Sequence, residues 1–106
     1  MTRIVLSEAT RSDRRAITAY SVEHFGVEQT RQLRDKFEAV LTLLAASPQL
    51  GRTNPSLDPP GKSFRYFPIM KTFVVVYEPT DKGIRVARIL HGTRLLAGEL
   101  EIESGS

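Results

Sequence analysis

The stretch LRDKFEAVLTLL, residues 33–44, decides the fold. Leu33, Phe37, Val40, Leu41 and Leu44 fall at i, i+4, i+7, i+8 and i+11, an unbroken apolar stripe at helical period. Arg31, Arg34, Asp35 and Glu38 take the other side, and their spacing predicts i,i+4 ion pairs between Arg31 and Asp35 and between Arg34 and Glu38. Pro48 stops the helix. A helix with one such stripe must lie on another apolar layer.

Upstream, Ala16, Ile17 and Tyr20 share a second helical face, with His24 one turn further on. Ser7 or Thr10 suits the N-cap of that helix, and Gly26 suits its end. Little more than Gly26 separates the two helices, which predicts an antiparallel hairpin. Before it, Arg3–Ser7 reads as a short strand.

Downstream, residues 48–61 (PQLGRTNPSLDPPG) hold four prolines and two glycines, and read as a loop without regular structure. Ser63–Phe67 reads as a strand closed by Pro68, which marks an edge or a turn. The unbroken run Phe73–Tyr77 predicts a central strand covered on both faces. Pro79–Gly83 reads as a hairpin loop. In the strand Ile84–Leu90, strict alternation puts Ile84, Val86, Arg88 and Leu90 on one face and Arg85, Ala87, Ile89 and His91 on the other. The tail LLAGELEIESGS fits a short helix, a strand or a frayed end. The expected fold is α+β, in the order β-α-α-β-β-β: a helical hairpin packed on one face of a small, curved, mostly antiparallel sheet. The other face is expected to be only partly covered and to carry basic side chains.

The 106 residues make one domain, with a core over residues 2–94 and a variable tail over 95–106. With 41% apolar and 25% charged residues the composition is that of a globular protein. There is no cysteine, which excludes a disulfide scaffold, a thiol nucleophile and thiolate metal sites. Two histidines do not make a three-histidine metal centre, and no metal or cofactor is expected. No apolar run approaches the roughly 20 residues that span a bilayer, and the N-terminus lacks the apolar core of a signal peptide, so the cytoplasm is the expected compartment. Charge is uneven. Residues 52–94 carry eight basic and three acidic side chains, whereas residues 95–106 carry only Glu99, Glu101 and Glu103. The basic stretch fits either an anionic partner or an ordinary solvated surface.

Several local signatures occur in a set order. They are Asp13, Ile17 and Tyr20 on the first helix, Phe25-Gly26-Val27-Glu28 at the helix turn, and Ser47-Pro48-Gln49-Leu50-Gly51-Arg52 after the second helix. Phe64-Arg65-Tyr66, Phe73–Tyr77 and Arg88-Ile89-Leu90-His91-Gly92-Thr93-Arg94 follow on the strands. Together they cover residues 3–94 and resemble the RelE/ParE superfamily of type II toxin–antitoxin toxins. The Pro-x-x-Gly-Arg and Leu-His-Gly-x-Arg pieces look more like the ParE branch. That resemblance implies inhibition of DNA gyrase by binding, with replication blocked. A RelE-like reading implies instead metal-independent cleavage of mRNA on the ribosome. Both imply a cognate antitoxin, ParD-like or similar, in a hetero-oligomer with the toxin.

For RNA cleavage the available set is His91 as acid or base with Arg65 and Arg94 on the phosphate. A turn-capping role is the alternative for His91, and His24 near a helix end reads as structural. Arg65 alternatively pairs with an acid, and Arg52 alternatively clamps its loop. By family analogy, Arg88, Arg94, Leu95 and Leu96 are the expected target-binding residues. Tyr20, Phe25 and Val27 offer apolar surface for an antitoxin, with Arg65 and Arg85 facing its acidic segment.

Overall fold

The computed structural model describes residues 3–94. Strand β1, Arg3–Leu6, runs into helix α1, Glu8–Ala46, whose N-cap is Ser7: its hydroxyl accepts the Thr10 amide at 3.0 Å. Helix α1 is a hairpin, as its glycine predicts. At Gly26 the backbone takes φ 87° and ψ 172°, outside the helical region. A side chain there would be strained, so glycine sets the bend. The arms, residues 8–25 and 27–46, fold back on each other. Arg14 on the first pairs with Glu38 on the second, and the Thr30 hydroxyl donates to Ser21 at 2.7 Å across the bend. In a straight helix residues 14 and 38 would be about 36 Å apart. The helix-surface pairs therefore differ from the expected ones: Glu38 serves Arg14 rather than Arg34, and Arg31 pairs with Glu28 at 3.5 Å rather than with Asp35.

Beyond Ser47 the loop is less irregular than its prolines suggest. A 3-10 turn, Pro48–Leu50, leads into a two-residue strand β2, Arg52–Thr53. Strands β3 (Arg65–Ile69), β4 (Phe73–Thr80) and β5 (Gly83–His91) complete a five-stranded sheet in the order β1-β5-β4-β3-β2. All neighbours are antiparallel except β1 and β5, which are parallel; α1 leads from β1 to β2 at the far edge, and the chain returns through β3 and β4 to lay β5 beside β1. Pro68 lies inside β3 rather than ending it. It pairs with Val74, and β2 reaches only Arg65 and Tyr66, so the missing amide faces an open edge.

The stripe on the second arm packs as expected. Phe37, Val40, Leu41 and Leu44 are buried against Ile69, Val75, Tyr77, Ile84, Val86 and Ile89, each stripe residue contributing about 1.5–3 kcal/mol. The opposite face has its own buried cluster of Phe64, Tyr66, Val76, Ala87 and Leu90, with Leu57 from the preceding loop packed on it. It is apolar at its centre rather than an open basic face. Strict alternation along β5 also fails. The register jumps from Arg88 opposite Val76 to Val86 opposite Tyr77, so Ala87 is the extra residue of a β-bulge. Ile84, Val86 and Ile89 then face the helix, and Ala87 and Leu90 face away.

The bulge falls where β1 ends, and α1 takes over as partner of β5. The Ser7 amide donates to Val86 O (3.0 Å), and the hydroxyls of Ser7 and Thr10 donate to Ala87 O (2.8 Å) and Val86 O (3.0 Å). One turn on, Asp13 accepts the Ile89 amide at 3.1 Å and holds Arg88 bidentately at 2.7 and 2.8 Å, both side chains 12% exposed. Residues 7, 10 and 13 thus form a polar seam along one helix face. Asp13→Ala, which strips the charge from a nearly buried pair and orphans the Ile89 amide, is expected to cost about 3 kcal/mol in urea unfolding. Arg14→Gln, at a more exposed pair, is expected to cost less than about 1 kcal/mol.

Candidate functional site

Of the expected site residues, the structure brings Tyr20, Phe25 and Val27 together at the bend of α1, 57%, 58% and 63% exposed. The first arm presents Tyr20 and His24 one turn apart, so the rings stack at 3.8 Å, and Phe25 meets Tyr20 edge-on at 6.2 Å. His24 is structural, its Nδ1 lying 3.0 Å from the Tyr20 carbonyl one turn earlier. Tyr20, His24 and Phe25 form a ring knob at the hairpin end, and Val22 and Val27 are exposed near the same bend.

The arginines do not share a surface. Arg88 is taken up by Asp13 on the polar seam, so it stabilises the fold where target contact was expected. Arg65 donates to the carbonyls of Gly51 (2.7 Å) and Gln49 (3.2 Å), not to an acid. Arg85 lies on the opposite face of the sheet, 3.6 Å from Glu78, its direct cross-strand partner, which Lys62 also approaches at 3.9 Å. Lys62, Arg65, Arg85 and Arg88, four of the eight basic side chains of residues 52–94, are thus engaged by internal partners. Arg94 is exposed in the 3-10 turn Gly92–Arg94, and Leu95 and Leu96 lie outside the described residues.

The catalytic set of the RNA-cleavage reading is not assembled. Arg65 pairs with Tyr77 in the middle of β4 and His91 with Phe73 at its start, about 13 Å apart along the strand alone. His91 caps its turn as the alternative reading has it, but through an amide rather than a carbonyl. Its Nδ1 accepts the Thr93 N–H at 3.2 Å, and its ring meets Phe73 edge-on at 5.9 Å. Among the described residues no three histidine or carboxylate side chains gather as a metal site would need, and no helix is long and apolar enough to cross a membrane.

What sequence reasoning missed is the work of Pro48-x-x-Gly51. The Tyr77 hydroxyl donates to Pro48 O (2.7 Å) and accepts the Gly51 amide (2.8 Å), while Arg65 takes Gly51 O from the other side. A Cβ on Gly51 would lie 2.6 Å from the Tyr77 hydroxyl, so close approach alone requires glycine there. The clamp is Arg65, Gly51 and Tyr77. Arg52, expected to fasten this loop, is exposed on β2. On the other face the Tyr66 hydroxyl donates to Asp58 at 2.6 Å, and Asp58 also accepts the Phe64 amide at 3.2 Å, fastening the loop over that cluster.

Burial raises the pKa of both tyrosines. For Tyr66 the Asp58 carboxylate adds to the effect; for Tyr77 the Gly51 amide and Arg65 oppose it. Both therefore hold their protons more tightly folded than unfolded. Their stabilisation is complete below the ordinary value of 10.0 and is lost as pH climbs above it. The urea midpoint should fall above about pH 10, less steeply in Tyr66→Phe; an identical slope would contradict this assignment. Gly51→Ala, an overpacking change, should cost about 1–3 kcal/mol.

Comparison with known proteins agrees with this architecture. The family model "ParE toxin of type II toxin-antitoxin system, parDE" matches residues 4–96. No curated protein sequence matches the chain. A solved structure of the chromosomal ParDE TA system from P. aeruginosa is similar in fold, with a TM-score of 0.68 at 21% identity, over 86% of this chain and 96% of that one. A helical hairpin stitched to a five-stranded mixed sheet, in a chain matched almost end to end, places this protein in the ParE toxin family of type II toxin–antitoxin systems.

Proposed function

We propose that this ParE-type toxin inhibits DNA gyrase by binding it, acts in the cytoplasm, and is held inactive in a hetero-oligomer with a ParD-like antitoxin. The observation that carries a binding mode over mRNA cleavage is the placement of Arg65 and His91. They stand opposite Tyr77 and Phe73, four residues apart along β4, and the Arg65 guanidinium is engaged by two main-chain carbonyls. A binding inhibitor needs a surface and no catalytic set. Since Asp13 holds Arg88, the target surface in this reading falls to Arg94 and the tail from Leu95 and Leu96 onward.

The antitoxin surface in this reading is the knob at the bend of α1. Large apolar groups such as Tyr20, Phe25 and Val27 desolvate readily against an amphipathic helix, and rings anchor such contacts best. Arg65 and Arg85 drop out as primary contacts because their guanidiniums already have partners on the chain.

A supercoiling assay with purified gyrase tests the activity. Inhibition is expected from the chain and from His91→Ala alike; unimpaired supercoiling together with ribosome-dependent mRNA cutting would overturn the reading. Phe25→Asp with Val27→Asp should weaken antitoxin binding by about tenfold or more, as loss of a central apolar anchor does, while leaving gyrase inhibition intact.

A further inference from the structure

Between the two arms of α1 runs a shallow groove of about 380 Å³, lined by Arg14, Arg15, Thr18, Ala19 and Arg34. Arg14, Arg15 and Thr18 share one face of the first arm at i, i+1 and i+4, and Arg34 faces them from the second. Arg14 is held by Glu38, which fixes the width of the groove. Arg15 and Arg34 are exposed and make no ion pair with a described residue. Arg11, one turn before Arg15, is likewise exposed and extends the row.

We infer that this groove binds the phosphate backbone of duplex DNA, without sequence preference. Guanidinium forks suit phosphate oxygens, and the Thr18 hydroxyl is a further donor. The lining chooses among polyanions. An acidic peptide would need apolar anchors to bind well, and here the apolar lining amounts to Ala19 and the methyl and methylene groups of its neighbours. A single strand would need rings for base stacking, and none lines the groove. A duplex backbone needs neither, because its affinity comes from counterion release. Two helical arms about 8–10 Å apart also make a rigid frame for such contacts.

The test is fluorescence anisotropy of the full chain with a labelled duplex DNA of arbitrary sequence, without gyrase or antitoxin, so it reads independently of the gyrase proposal. Micromolar binding that weakens steeply between about 50 and 200 mM salt is expected. Arg15→Gln with Arg34→Gln should lower affinity about tenfold and reduce the salt slope by about 2. Arg52→Gln with Lys82→Gln, an equal charge change away from the groove, should alter affinity by less than about twofold. Thermal melts followed by circular dichroism confirm that each variant is folded. Absence of binding at low salt, equal losses in the two double variants, or displacement of the DNA by an equal charge of polyglutamate would each overturn the inference.

Discussion

The structure depends on how the open edge of β5 is closed. Strand β1 covers that edge only as far as Val86, and beyond it the Ala87 bulge leaves main-chain groups without a strand partner. Buried amides and carbonyls without partners cost free energy comparable to a lost hydrogen bond. Ser7, Thr10 and Asp13 supply the partners. The same contacts fix where the first arm lies, and Arg14–Glu38 and Thr30–Ser21 carry that placement to the second arm. The apolar stripe then supplies most of the burial, but a stripe alone does not specify a register; directional bonds do.

The seam also takes up Arg88, and other basic residues find partners elsewhere on the sheet. Arg88, Arg65 and Arg85 lie in the most basic part of the chain, yet each is engaged by a carboxylate or a pair of carbonyls. With those guanidiniums engaged, the exposed helical hairpin is a distinctive surface, with the apolar knob at its bend and the arginine groove between its arms.

The fold class was legible because it rests on periodicity. The stripe from Leu33 to Leu44, the glycine at 26 and the run Phe73–Tyr77 each state their environment locally. Other features depend on partners far along the chain. Beside the bulge at Ala87, the Ile89 amide and Arg88 bond to Asp13, seventy-odd residues away, and alternation read along β5 alone misplaces Leu90 and Ile89. The β3–β4 turn was hidden for a different reason. Met70 and Lys71 take φ of 55° and 60°, values usually signalled by asparagine or glycine, and with no such signal Pro68 reads as the stop after Phe67 where the strand continues to Ile69. The site was half legible. Exposure of Tyr20, Phe25 and Val27 follows from their place beside the bend, whereas the partners of Arg65 and Arg88 are main-chain carbonyls and a distant carboxylate that no spacing rule announces.

Hydrogen exchange at the Ile89 amide tests this account most directly. That N–H has no strand partner and bonds to a side chain. If the seam docks the helix on the sheet, it should exchange only through global unfolding, as slowly as the amides of the central strand β4. Exchange at the rate of an open sheet edge, with β4 still protected, would show that α1 is not held to β5 in this way.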